Sequence, residues 1–181
     1  MFDGLSIDEI PSSPFTCDYL TGANIFGRVS VLDESGFFPE ELFLYFEETI
    51  WMERYIKKTC DKPWILPNIS IKNKKRSERS SLPTQYYFFY MTRNWLIFAA
   101  EVNSSYDYSQ ALPESLKYFL SAWLKRIKSS HPELLEEYMN IATCAYEHGL
   151  IKHTGINAEI RNYSSIWTDK FGITSLIKEL I

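Results

Sequence analysis

Residues 85–102 constrain this chain more than any other stretch, because so apolar a run must be buried wherever it goes. Tyr86-Tyr87-Phe88-Phe89-Tyr90-Met91 leads into Thr92-Arg93-Asn94, and Trp95-Leu96-Ile97-Phe98-Ala99-Ala100 follows. Two aromatic-rich runs about a short polar break are the pattern of a β-hairpin. A three-residue turn would set Phe89 opposite Ile97 and Phe88 opposite Phe98, which makes both faces of the first strand apolar. A strand with one wet face would alternate instead. The pattern therefore predicts a central hairpin covered by other elements. A single buried helix is the competing reading, and aromatic crowding with the break at Arg93-Asn94 favours strands over it. That break also leaves pieces too short to cross a bilayer.

Three helices are predicted to pack on this hairpin. The first runs from Pro39 to about Lys58. Pro39 suits the first helical position, Glu40 and Glu41 favour the positive end of the dipole, and Lys57 and Lys58 complement the other end. Leu42, Tyr45, Phe46, Ile50, Met52 and Ile56 form one broad apolar face. Leu44, Trp51 and Tyr55 line a second stripe, interleaved with Glu40, Glu47 and Glu48. The bland account buries that stripe under the N-terminal segment. The sharper account exposes it as an aromatic anchor rimmed by acids, which is how a protein-binding hot spot is built.

The second helix spans about 113–128, with Leu116, Phe119, Leu120, Trp123, Leu124 and Ile127 on one face and Lys117, Lys125 and Lys128 on the other. Ser129-Ser130-His131 breaks it, and Pro132 opens a third helix over about 132–148. There Leu134, Leu135, Tyr138, Met139, Ile141, Ala142, Ala145 and Tyr146 make the buried stripe. Glu133, Glu136, Glu137 and Glu147 make the wet face, and Gly149 suits the C-terminal cap. The short break makes the pair an antiparallel αα-hairpin.

Elsewhere the signals are weaker. Ile25–Leu32 alternates loosely, as a strand would, and Trp64 sits between Pro63 and Pro67, placed for the core. Residues 156–167 have helical periodicity, and 173–181 close the chain as a short apolar helix or strand. The run from Lys72 to Arg79 is strongly basic but holds no aromatic residue. It reads as a solvated loop, since single-stranded bases would need rings to stack on.

Little here points to chemistry. The glycines fit neither a dinucleotide nor a phosphate loop, and no catalytic serine, zinc or calcium motif occurs. Cys17, Cys60 and Cys144 are odd in number and far apart, which suits free thiols in a reducing cytoplasm rather than a disulfide framework. His131, His148 and His153 lie in a turn, near a helix end and in a loop. Cys144 and His148 are an i, i+4 pair on the polar margin of their helix, without an orienting group or an oxyanion site nearby in sequence. No cofactor or metal is implied. The start, Met1-Phe2-Asp3-Gly4-Leu5, lacks the basic and apolar regions of a signal peptide.

With 181 residues the simplest organisation is a single domain over 1–181. The fold expected is α+β, a small antiparallel sheet centred on the aromatic hairpin (about 85–102) with three or four amphipathic helices on it. The net charge is −4 and the aromatic content 16%. A mildly acidic chain is a poor general binder of nucleic acid and meets a basic protein better. The function expected is non-catalytic, cytoplasmic binding of a protein partner, as an immunity or inhibitor protein that neutralises a toxin such as a basic nuclease. The binding residues expected are Glu40, Leu44, Glu47, Glu48, Trp51 and Tyr55, with Glu133, Glu136 and Glu137 as a second patch. The alternatives are an enzyme of unrecognised class and a nucleic-acid-associated protein using Lys72 to Arg79. Neither a membrane association nor an oligomeric state is indicated.

Overall fold

A computed structural model describes residues 11–20, 22–69, 82–103, 105, 107–109, 111–152 and 172–181. They are mostly helical, with one two-stranded antiparallel sheet, so the protein is broadly α+β. The elements in chain order are β1 (Phe15–Thr16), α1 (Val29–Ser35), α2 (Glu47–Thr59), β2 (Trp64–Ile65), α3 (Gln85–Val102), α4 (Glu114–Ser130), α5 (Leu135–Leu150) and α6 (Ile173–Lys178). No described helix is long and apolar enough to cross a membrane. The chain divides into two compact units, Met1–Pro39 with Glu47–Arg79, and Glu40–Phe46 with Ser80–Ile181.

The expected aromatic hairpin is not formed. Gln85–Val102 is one continuous helix, α3, and the sheet lies elsewhere, pairing Phe15 with Ile65 and Thr16 with Trp64. The reason is that a strand covered on both faces and a helix covered all round carry the same apolar pattern. Two features settle it for the helix. Thr84, in extended conformation, accepts the Tyr87 N–H on its side chain at 3.2 Å and so caps the first turn. The polar break is no turn, because Thr92, Arg93 and Asn94 are buried side chains in mid-helix.

The second unit is built on α3 and α5, with α4 and α6 completing the core. On α4, Leu116, Leu120, Leu124 and Ile127 are fully buried at helical spacing, as the sequence pattern requires. The His131 N–H closes α4 on the Ile127 carbonyl at 2.7 Å, and a 3-10 turn at Pro132–Leu134 leads into α5. The α5 stripe at Tyr138, Met139, Ile141, Ala142, Ala145 and Tyr146 is buried as expected, but burial then takes in every residue from 141 to 149. Glu147 is therefore inside rather than on a wet face, and Gly149 lies within the helix rather than capping it. A Cβ on Gly149 would meet the Arg93 backbone carbonyl at 3.0 Å and Leu96 Cδ2 at 2.9 Å. The missing side chain is what lets α5 approach α3 so closely.

The first unit is smaller. Leu20 donates its N–H to Met52 Sδ at 3.1 Å, and Cys17 donates its N–H to the Pro63 carbonyl at 3.0 Å, which ties the N-terminal segment to α2 and to β2. The strand expected over Ile25–Leu32 is absent; α1 begins at Val29 and ends at Gly36, whose φ of +87° suits a residue without a Cβ. The first predicted helix begins late. After Pro39 comes one 3-10 turn, Glu40–Leu42, and then Phe43, Tyr45 and Phe46 take φ values of +68°, +64° and +70°. These break the helix, so α2 starts at Glu47 with Glu47 and Glu48 in its first turn and Lys57 and Lys58 in its last. The periodicity expected over 156–167 and the basic run from Lys72 to Arg79 lie outside the described residues.

Candidate functional site

The stripe expected on the first helix is not a single feature. Trp51 and Tyr55 are on α2, whereas Glu40 and Leu44 precede that helix and belong to the other unit. Trp51 is only 7% exposed. Its Nε1 donates to the Gly36 carbonyl at 2.7 Å, and its ring lies 5.1 Å from that of Phe38 and 5.8 Å from that of Tyr55, centroid to centroid. It is covered by the N-terminal segment, and an indole that buries its ring must find an acceptor for its N–H. Tyr55 is half-buried and reaches Asp61 Oδ2 at 3.4 Å.

The two acids beside this stripe differ. Glu48 Oε1 accepts from the Tyr19 hydroxyl at 3.2 Å and from the Gly22 N–H at 3.1 Å, latching the chain before α1 onto α2. Glu47 Oε2 is buried with no hydrogen-bond partner among the described residues. Burial holds the Glu47 carboxyl above its ordinary 4.5, and the Glu48 charge adds to this, while a backbone hydrogen bond at Glu47 opposes it. A raised carboxyl pKa means the folded state holds this proton more tightly than the unfolded chain. The stability it contributes is full below 4.5 and is lost as pH rises through the folded value. Glu47→Gln is therefore expected to raise the melting temperature at pH 7, with the gain disappearing by about pH 4, as followed by circular dichroism.

The first unit also exposes apolar surface. A cleft of about 410 Å³ is lined by Ile25, Phe26, Arg28, Leu32, Phe38 and Trp51 among others. A second, of about 210 Å³, is lined by Leu20, Asn24, Phe26, Trp64, Leu66 and Ile69 with Ile65. Phe26 and Asn24 line both, so the clefts adjoin. Phe26 is 85% exposed, Ile69 64%, Trp64 55% and Leu66 50%. Trp64 is thus outside the core where it was expected. In β2 successive side chains alternate, and Ile65 takes the inward position. Val29 and Phe37 of the same unit are also largely exposed. The loose alternation over Ile25–Leu32 pointed to a strand that is not formed, and so gave no sign that Phe26 is exposed.

On the αα-hairpin, Glu133 and Glu136 are exposed, and Glu133 lies 3.5 Å from His131 Nδ1. Glu137 is half-buried and accepts from Gln85 Nε2, which ties α5 to the first turn of α3. Cys144 and His148 face the core rather than a polar margin. Cys144 is fully buried, and the imidazole of His148 stands edge-on to Phe89 with centroids 5.7 Å apart. A thiol so placed has no access to a dissolved substrate. Among the described residues no group of three or more His, Cys, Asp or Glu side chains could hold a metal ion.

The second unit holds one polar constellation that sequence reading missed. Arg93 and Asn94, fully buried on α3, point at residues 42–46. Arg93 Nη2 donates to the Leu42 carbonyl at 2.6 Å, and Arg93 Nε to Asn94 Oδ1 at 2.8 Å. Asn94 Nδ2 donates to the carbonyls of Leu44 at 2.6 Å and Tyr45 at 2.8 Å, and lies 3.3 Å from that of Leu42. An amide nitrogen has two hydrogens, so the first two are its full bonds. The guanidinium also lies 4.8 Å from the Tyr90 ring centroid. Each left-handed residue in 43–46 costs about 1–2 kcal/mol, and each of these hydrogen bonds offsets about 1 kcal/mol. Cost and compensation are of one size, so the turn exists by virtue of α3.

No protein-family model, curated protein or solved structure matches this chain.

Proposed function

We propose that this protein works by stoichiometric, non-catalytic binding of another protein, and that the partner docks on the exposed apolar surface of the first unit. The observation that carries this reading is the gathering of Phe26, Trp64, Leu66 and Ile69 around two adjoining clefts. Large apolar side chains left in water on this scale mark an interaction surface. Aromatic anchors beside pockets are where binding energy concentrates, and covering apolar surface favours association. Trp51 lines the larger cleft as a buried wall, with Tyr55 stacked on it, rather than serving as an exposed anchor.

The finer reading is an inhibitor or immunity protein for a protein toxin. A net charge of −4 supports a basic partner such as a nuclease, because opposite charge speeds encounter and sets orientation. Glu133 and Glu136, exposed on the αα-hairpin, are the second candidate contact.

The test is sedimentation of the protein with the products of its adjoining reading frames. A one-to-one complex is expected with one of them. Phe26→Ser combined with Trp64→Ser is expected to weaken it about 100-fold or more while leaving the melting temperature close to that of the parent, since both side chains are already in water. Undiminished affinity in that variant would rule out this surface. Absence of any complex with the encoded neighbours would contradict the inhibitor reading.

A further inference from the structure

Residues 42–46 adopt a backbone that their own sequence does not ask for. Phe43, Tyr45 and Phe46 are all left-handed, and none is a glycine or asparagine. Strain of this kind persists only where the surroundings impose it, and it gathers at clamps and switch regions. Among the described residues, α3 supplies the side-chain hydrogen bonds and ring contacts to this turn. Arg93 and Asn94 of α3 take the carbonyls of Leu42, Leu44 and Tyr45. The rings of α3 seat the side chains. Phe43 lies 5.3 Å from Tyr90, Tyr45 meets Tyr87 edge-on at 5.2 Å, and Phe46 lies 5.4 Å from Trp95 and 5.8 Å from Phe98.

Seen from α3, this is a recognition site of definite chemistry. Donors held inside the fold donate to main-chain carbonyls, and flanking aromatic surfaces hold side chains. Peptide-recognition sites divide labour in the same way, the main chain giving affinity and the side-chain pockets specificity. We infer that residues 42–46 are a tethered ligand of α3, and that this site takes an aromatic peptide turn presenting its carbonyls. The chain's own turn is the occupant seen, and it can be displaced. Lifting it bares the rings of Tyr87, Tyr90, Trp95 and Phe98 together with the Arg93 and Asn94 donors, so the turn acts as an autoinhibitory contact. The site is independent of the docking surface proposed above.

The tether sets the terms of the test. A linked segment competes at an effective concentration in the millimolar range, so a free peptide gains entry only when the resident turn is weakened. The probe is a dye-labelled peptide of residues 40–47, capped at both ends, and binding to the full chain is read by fluorescence anisotropy. Phe43→Ala with Phe46→Ala is expected to bind it at least about 10-fold more tightly than the parent chain does. Adding Asn94→Leu is expected to abolish that binding. In the parent protein, the amides of residues 44–46 are expected to exchange with deuterium at least about 10-fold faster than those of Leu120 and Leu124, because the turn opens without global unfolding. A folded double variant that binds the peptide no better than the parent overturns the inference. Exchange of residues 44–46 at the rate of the α4 core overturns it as well, whatever the variants do.

Discussion

Asn94→Leu is expected to destabilise the protein by about 3 kcal/mol in urea titrations, lowering the midpoint without changing the slope. Leucine has the same branching pattern of heavy atoms and is the better helix former by about half a kcal/mol, so propensity does not supply the loss. It comes from the polar groups left behind. The Leu44 and Tyr45 carbonyls give up their bonds to Nδ2, and Arg93 Nε gives up its acceptor. Each buried group stripped of its partner costs about 1–3 kcal/mol. The strain at Phe43, Tyr45 and Phe46 then loses much of its compensation. A loss under about 1 kcal/mol would mean that water replaces Asn94 at these carbonyls.

Gly149→Val is expected to cost about as much for the opposite reason. The position is in the last turn of α5, where glycine is still unfavourable by up to about 1 kcal/mol against alanine. A side chain would therefore help if there were room. There is none, since even a Cβ would stand 3.0 Å from the Arg93 carbonyl and 3.0 Å from Leu96 Cβ. The Leu96 methyl can rotate away, but backbone cannot, so valine must push α5 off α3. Overpacking of this kind costs about 1–3 kcal/mol or more, and α3 with α5 forms the main helix contact of its unit. Thermal melts of Gly149→Ala and Gly149→Val should show a graded loss. A stabilised alanine variant would show that the two helices have slack.

The helices α4 and α5 were legible in the sequence because α4 is half wet and the first turns of α5 are. Leu116, Leu120, Leu124 and Ile127 repeat at helical spacing against a lysine face, and Pro132 with Glu133 marks where the next helix begins. The helix α3 was not legible, since it is apolar on nearly every side and so loses the period that tells a helix from a strand. Its polar pair Arg93-Asn94 suggested a turn, because partners for those groups lie some fifty residues away in sequence. The one local sign of a helix was Thr84 ahead of the run, a cap read only once the helix is known. The break at 43–46 left no trace, as Phe43, Tyr45 and Phe46 are residues that normally avoid a left-handed backbone.

The candidate site was legible in part. Aromatic residues beside α2 do matter to the first unit, but Trp51 is spent on packing against Phe38 and bonding Gly36. Phe26 and Trp64 are exposed rings on the smaller cleft, set there by pairing of β1 with β2 and by the tie of Leu20 to Met52. Such placement depends on contacts distant in the chain, which periodicity does not report.

Hydrogen exchange of the protein with and without its bound partner tests most directly where binding occurs. Slower exchange is expected across residues 22–28 and 64–69. Protection confined to residues 133–137, with none around Phe26 or Trp64, would contradict the assignment of the first unit's apolar surface as the place where this protein acts.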